Sequence, residues 1–460
     1  MFSELQSGEK NYIRLFDCIE KQQEFNEDEV KLQFAGEVFI QHLPSEKNFL
    51  YKTILKSLRQ FHADNTSIGR LTQDIRNVQL LYQKGLFLSC KKALKRAKST
   101  ATDHEHLYHL HEILSWEKRL IDIDIEEGDF NSNLDIILNE EALVLKQLHN
   151  LAEYQILYTK INTIFRVGGF VRNAAEKAIV EEISNYYLIT GKNTAISVNA
   201  TSICYYIKGL CAATNRDYEN AFLFFKKTKV VLDKNLLVRS ELTTRYVQTI
   251  GHMIHCCFDS KNEEEANDLF LQLDKLKGNK DFAIPETMFL MDNIARQLNW
   301  GMLIREGKFT AALNVMDLIQ NEETKYYLEK SREIQLVEIY HRAYAQFALG
   351  NFKLALRLVN DLLNDSDQRL RKDIFSYARI LNVMIHIEMG NLEHALYVAK
   401  NTSKKLQHED INYPLEAFMN RHLIAISGTS TVAEMNKKLD ALLLEIPKFV
   451  NSEQIGRAHV

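Results

Sequence analysis

Apolar positions recur at helical spacing along most of the chain, and the pattern is clearest between residues 205 and 225. Tyr205, Tyr206, Gly209 and Leu210 are followed by Asn215-Arg216-Asp217 and then by Tyr218, Ala221, Phe222 and Phe225. Residues three, four and seven apart share one face of a helix, so the stretch predicts two helices joined by a tight polar turn. Antiparallel helices approach closely only where they cross on small side chains, a role that Gly209 and Ala221 fit. Tyr218 and Phe225 share a face on the second helix and offer large rings to whatever packs beside the pair. Asp217 is placed to cap that helix through its side-chain oxygen.

The same unit recurs. Gly85, Gly128, Gly168, Arg216, Lys261, Gly307, Gly350, Gly390 and Gly428 mark the turns before successive second helices, with neighbouring marks 38 to 48 residues apart. Five residues after three of these marks stand Ala312, Ala355 and Ala395, in Gly307-Lys308-Phe309, Gly350-Asn351-Phe352 and Gly390-Asn391-Leu392 contexts. Cys90 and Ala433 take that place after Gly85 and Gly428, and Asn133 and Asn173 take it in two degenerate units.

This arrangement resembles the tetratricopeptide repeat family, over roughly Ser67 to Pro447 and most closely from Val198 to Lys405. The spacing is longer than the family's usual period of about 34 residues, and the proline that commonly closes a unit is absent. The resemblance implies an all-α fold: an open right-handed superhelix of stacked antiparallel hairpins whose concave face, lined by first helices, binds peptides or proteins. Carried onto matching units, the family's groove positions are Tyr206, Leu210, Gln248, His255, Gln297, Tyr340, Tyr344 and Tyr377. Chaperone-binding members grip a terminal carboxylate with Lys, Arg and Asn at such places. Tyr and Gln predominate here, which suits an extended peptide or a partner helix. The competing expectation is that these tyrosines only pack between neighbouring first helices.

Residues 1–66 do not follow the repeat and are expected to form a helical cap, with residues 67–447 the repeats and 448–460 a tail. Asn26 is a plausible cap before Glu27, Asp28 and Glu29. The helix that follows is expected to run to Leu43 and stop at Pro44. Ser45 would then cap a next helix whose apolar stripe is Phe49, Leu50, Ile54, Leu55 and Leu58. Ile455-Gly456-Arg457-Ala458-His459-Val460 reads like a sequencing adapter translated in frame, so it is set aside. The natural chain is then expected to continue beyond about Gln454.

With 46% hydrophobic residues, the chain can bury a large core. Only 4 prolines and 17 glycines interrupt it, which favours helix nearly throughout. A formal net charge of -4 gives no electrostatic basis for general nucleic-acid binding. No apolar run is long enough to span a membrane, and the first ten residues lack the pattern of a secretion signal. Cys18, Cys90, Cys204, Cys211, Cys256 and Cys257 fall within helical patterns and read as reduced core residues of a cytoplasmic protein.

Five local clusters are better explained by packing than by chemistry. His104, His106, His109 and His111 do not converge on one helical face. His252, His255 and Cys256 have metal-compatible spacing but no completing ligands nearby in sequence. Asp129, Asn131, Asn133, Asp135 and Glu140 imitate a calcium loop with Leu134 where glycine is required. Lys91, Lys92, Lys95, Arg96 and Lys98 read as a solvated helix face, and Gly168-Gly169 lacks a phosphate-loop lysine. No catalytic constellation, metal set or cofactor motif emerges. The expected function is therefore a non-enzymatic scaffold for another protein or peptide. The alternative is a ligand-sensing regulatory domain whose output module lies beyond residue 454.

Overall fold

In the computed structural model the described residues are 10–22, 25–121, 130–260, 262–318, 331–366, 368, 370–408 and 414–452. Among them there is helix and turn but no strand. The chain divides into two compact units, Met1–Val144 and Leu145–Val460.

The first unit holds α1 (Asn11–Glu20), α2 (Glu27–Gln33), a 3-10 turn at Val38–His42, α3 (Leu43–Asn65), α4 (Ser67–Gln83), α5 (Phe87–Asp103) and α6 (Leu107–Ile121). It also holds the start of α7 (Phe130–Gly168). Asn26 caps α2 as expected, accepting from the backbone N–H of Asp28 and Glu29. Pro44 does not end a helix; it lies in the first turn of α3, where its missing N–H has no intrahelical acceptor to lose. The preceding helix has already ended at Gln33, ahead of Gly36 with φ +87°. Ser45 is thus inside α3 and caps nothing. The stripe expected on α3 is narrower than its apolar residues suggest. Leu43 and Leu50 are buried with Ile54 against them, while Phe49, Leu55 and Leu58 are exposed.

The second unit continues from α7 with α8 (Ala174–Asn185), α9 (Tyr187–Thr190), α10 (Val198–Thr214), α11 (Tyr218–Asp233) and α12 (Leu236–Glu241). Next come α13 (Thr243–Ser260), α14 (Glu263–Leu276), a 3-10 turn at Lys280–Phe282, α15 (Pro285–Arg305) and α16 (Phe309–Asp317). Then come α17 (Arg332–Ala348), α18 (Phe352–Leu363), α19 (Lys372–Glu388), α20 (Leu392–His408), α21 (Pro414–Ser427) and α22 (Val432–Ser452). Each first helix packs on its own second helix and on the next hairpin, so α10, α13, α15, α17, α19 and α21 form one layer. The layer of second helices is α11, α14, α16, α18, α20 and α22.

One turn makes these hairpins. At Gly85, Arg216, Gly307, Gly350 and Gly390 the residue after the first helix adopts φ between +61° and +77°. Its own N–H and the next N–H fold back onto the last carbonyls, as in Gly350 N–H to Phe347 O at 2.9 Å and Asn351 N–H to Gln346 O at 2.9 Å. This left-handed cap satisfies carbonyls a helix end would otherwise leave open, and glycine adopts it without a Cβ clash. Arg216 performs the same turn at φ +61°. The chain then re-enters helix beside the one it left, and the small residue five positions on is the crossing point. Cys90, Ala221, Ala312, Ala355 and Ala395 are fully buried there. At Gly209 the approach is closest: a Cβ would stand 2.6 Å from the Phe225 ring.

Four expected positions depart from this rule, one of them Gly428, which is not left-handed. Asn173 is not a crossing residue but the cap of α8, accepting from Glu176 N–H at 2.7 Å. The left-handed residue there is Gly169, one beyond the expected Gly168, which is still helical. Ala433 is exposed, because α22 meets its neighbour along Met435, Leu439, Leu442, Ile446 and Phe449. Gly128, Lys261 and residues 455–460 lie outside the described residues, as does the side chain of Asn133.

Ala355 is enclosed by Ala343, Val359, Leu381 and Ile385. Ala355→Trp should overfill this crossing and cost at least about 1–3 kcal/mol. Urea denaturation should show an earlier midpoint, and an unshifted midpoint would mean the crossing is not tight.

Candidate functional site

The eight expected groove residues fall on the first helices of the second unit. Tyr206 is buried on α10, with its hydroxyl 3.3 Å from Gln248 Oε1 and 3.0 Å from His252 Nε2, both on α13. Its ring packs edge-on to Phe225 at 5.6 Å and against Tyr158 of α7 at 5.9 Å. Leu210 is fully buried one turn further along α10. His255 is exposed, with its ring stacked on Tyr218 at 6.4 Å. Gln297 is half-buried on α15 and joined by no hydrogen bond among the described residues. On α17, Tyr340 lies 6.1 Å from the ring of Tyr377 on α19, and the 36%-exposed Tyr344 meets Phe309 edge-on at 6.1 Å. The structure thus joins Tyr206 to Gln248 and Tyr340 to Tyr377. Gln297 stands between these pairs and bonds to neither.

A charged group that sequence reasoning missed lies beside Tyr377. Arg172, in the loop before α8, and Glu416, at the start of α21, are both 4% exposed and 3.7 Å apart. Ser376 Oγ donates to Glu416 Oε1 at 2.6 Å. Arg371 binds Asp373 through two hydrogen bonds of 3.0 and 2.7 Å, and Arg166 binds Glu333 through two of 3.1 and 2.7 Å. Burial pushes the Asp373 carboxyl up, but the Arg371 charge outweighs it and the net shift is downward. Arg166 with Glu333 ties the end of α7 to α17, and Arg172 with Glu416 and Ser376 ties the loop after it to α21 and α19, within one unit. The only local sequence cue was the Phe170-Val171-Arg172 run, where the Arg172 and Arg216 guanidinium groups lie 4.3 and 3.8 Å from the Phe170 ring centre.

Further along the first-helix layer, burial lowers the pKa of His252 to about 3, with His255 adding a smaller effect in the same direction. His341 is pushed down to about 4, again mainly by burial, although Nδ1 keeps a 2.8 Å contact with Val337 O. Both imidazoles are neutral in the folded chain near pH 7. His255 points to solvent while Cys256 is 3% exposed, so the His252, His255 and Cys256 run spans different faces of α13.

In the first unit, His104 and His106 stack at 5.6 Å, and His106 Nε2 lies 3.1 Å from Ser67 Oγ. His109 meets His106 edge-on, and His111 lies 3.5 Å from Glu141. Lys91, Lys92, Lys95 and Arg96 are exposed, while Lys98 is ion-paired with Glu117 and Glu140. The imitated calcium loop begins at Asp129, outside the described residues. All six cysteines are buried and unbridged. Among the described residues no helix is long and apolar enough to cross a membrane.

Turns, crossings and stacking order define an all-α protein of repeated antiparallel helical hairpins. No family model matches the chain, and no curated protein matches it. Among solved structures it is similar to NprR in complex with its cognate peptide NprX. That match has 12% identity and a TM-score of 0.38, and covers 75% of this chain and 94% of that one. It is also similar to the TPR domain of P58(IPK), at 11% identity and a TM-score of 0.27, covering 89% of this chain and 99% of that one. The class assignment stands on this chain's own geometry.

Two measurements follow from the electrostatics. An unfolded histidine titrates near 6.5, whereas folded His252 resists protonation down to about 3. Between these values the unfolded state holds more protons, so stability should fall as pH drops from about 6.5 toward 3. His252→Phe should make the urea midpoint less steep with pH across that window; an identical slope would place His252 outside the buried layer. Glu416→Gln should strand the buried Arg172 charge and cost about 3 kcal/mol. That loss should appear as a lowered midpoint in denaturant melts at neutral pH.

Proposed function

We propose that the chain is a non-enzymatic scaffold that takes a peptide or an extended protein segment along the first-helix layer of its second unit. What supports this reading is the chemistry shared by successive first helices. Tyr340, Tyr344 and Tyr377 offer rings with a polar tip and Gln248 and Gln297 offer amides, in place of the purely aliphatic side chains that helix packing alone would use; buried Tyr206 meets Gln248 at 3.3 Å. Tyrosine loses few rotamers on binding, and phenol and amide alike serve both main-chain and side-chain groups of a peptide. Gln297, half-buried and unbonded among the described residues, has its full amide capacity available to a ligand.

The test is affinity capture with the whole chain as bait, with bound species quantified by mass spectrometry. Tyr344 and Gln297 are suitable to alter because neither is fully buried. The pair Tyr344→Ala, Gln297→Ala should reduce recovery of the captured species by roughly tenfold, the equivalent of about 1.4 kcal/mol. The melting temperature should stay within a few degrees of the unaltered chain. Capture at full strength by this variant would remove the first-helix layer as the binding face.

A further inference from the structure

The first unit holds a concentration of charge that the balance of the whole chain conceals. Residues 43–100, the stretch of α3, α4 and α5, contain twelve Lys or Arg against Glu46, Asp64 and Asp74. Their net charge is +9, in a chain whose formal net charge is -4. Ion pairs absorb part of it. Lys47 meets Glu27, Arg96 lies 3.9 Å from Asp74, and Lys98 meets Glu117 and Glu140. Much of the rest is on the surface, with Lys52, Lys56 and Arg59 exposed on α3 and Lys91, Lys92 and Lys95 exposed on α5. Positive charge segregated in this way is complementary to an anionic surface.

On α3 the charge runs beside an apolar stripe. The helix buries Leu43 and Leu50, with Ile54 packed against them. Next to that contact Tyr51, Leu55 and Leu58 follow one another along one face, 62%, 38% and 47% exposed. Lys52, Lys56 and Arg59 each stand one residue beyond a member of that stripe, and so form a second row parallel to it. From Lys47 to Ala63 the sequence has no acidic residue. Among the described residues no carboxylate pairs with Lys52 or Arg59, and Arg59 Nε donates to Leu55 O of its own helix at 3.2 Å.

A row of Leu and Tyr beside a row of Lys and Arg is the pattern of a helix that lies in a bilayer interface. Its apolar side chains enter the headgroup layer, and its cations meet the lipid phosphates. Nucleic acid would use the same cations but would stack its bases on flat rings, which Leu55 and Leu58 do not offer. We propose that α3 docks the first unit on an anionic lipid surface, with Tyr51, Leu55 and Leu58 inserted and Lys52, Lys56 and Arg59 on the phosphates. The helix lies on the bilayer and does not cross it, in keeping with its charged row. This docking is independent of peptide binding by the second unit.

The whole chain is mixed with vesicles of phosphatidylcholine alone, or of phosphatidylcholine and phosphatidylglycerol in equal parts, and the vesicles are pelleted. The phosphatidylglycerol vesicles should take up at least about tenfold more chain than the neutral ones, and the difference should shrink at high salt. Lys52→Glu with Lys56→Glu should weaken this uptake at least about twentyfold, because each basic charge near an anionic surface counts for about a factor of five. Leu55→Gln with Leu58→Gln should weaken it several-fold without any change of charge. Thermal melts of both variants should match the unaltered chain, because all four side chains are exposed. If the glutamate pair fails to fold, Lys52→Gln with Lys56→Gln should lower uptake in the same direction, with half the change of charge.

Equal uptake by both kinds of vesicle, or uptake by neither, would overturn the proposal. So would uptake unchanged in the folded lysine variant or in the leucine variant. A chain that ignores vesicles but is retained by a single-stranded oligonucleotide or by polyglutamate would assign the face to nucleic acid or to an acidic protein, and lipid docking would fall.

Discussion

Five of the hairpins in this fold depend on a left-handed residue at the end of a helix, followed within two turns by a side chain small enough to let the next helix lie against it. The first condition reverses the chain while keeping its last carbonyls bonded, and the second brings the two backbones close. Gly350 with Ala355 and Gly390 with Ala395 meet both conditions in full. Arg216 with Ala221 meets them at the cost of a non-glycine residue at positive φ, and Arg216 is held there partly by its stacking on Phe170. Each hairpin is incomplete alone. Phe225 and Tyr218 reach past their own unit to His252 and His255 on α13, so burial of large rings is shared between neighbours.

The hairpins were legible in the sequence because both conditions are local, a turn residue and a small residue five positions apart. Errors arose where the same letters serve another purpose. Asn173 occupied the crossing position but carries a capping amide, and Ala433 occupied it on a helix whose contact stripe begins two residues later. Pro44 read as a stop because proline does end helices, yet it also begins them, and Gly36 had already ended the one before.

The polar content of the first-helix layer was only half legible. Periodicity placed Tyr206, Gln248, Tyr340 and Tyr377 on the correct helices, and the structure links the first two by a hydrogen bond and the last two by ring contact. It could not show that Arg172 meets Glu416, or that Arg245 meets Asn199 and Ser202 without an acid. Charged residues follow no period, and their partners lie on other hairpins. The groove positions that the repeat-family resemblance implies hold mostly Tyr and Gln, and they leave out Arg245, one turn before Gln248 toward the N-terminal end of α13.

The buried pair of Arg172 and Glu416 has a consequence for how the second unit is assembled. In a simple array each repeat interacts only with its neighbours, so stability accumulates unit by unit and an end can be trimmed without much effect on the rest. Here an arginine near the beginning of the unit is neutralised by a glutamate supplied after five intervening hairpins. A nascent chain lacking α21 would carry that arginine beside Phe170 with its counter-ion not yet synthesised. This contact couples the beginning of the second unit to its last hairpin, and it is non-local, the kind of contact that slows folding.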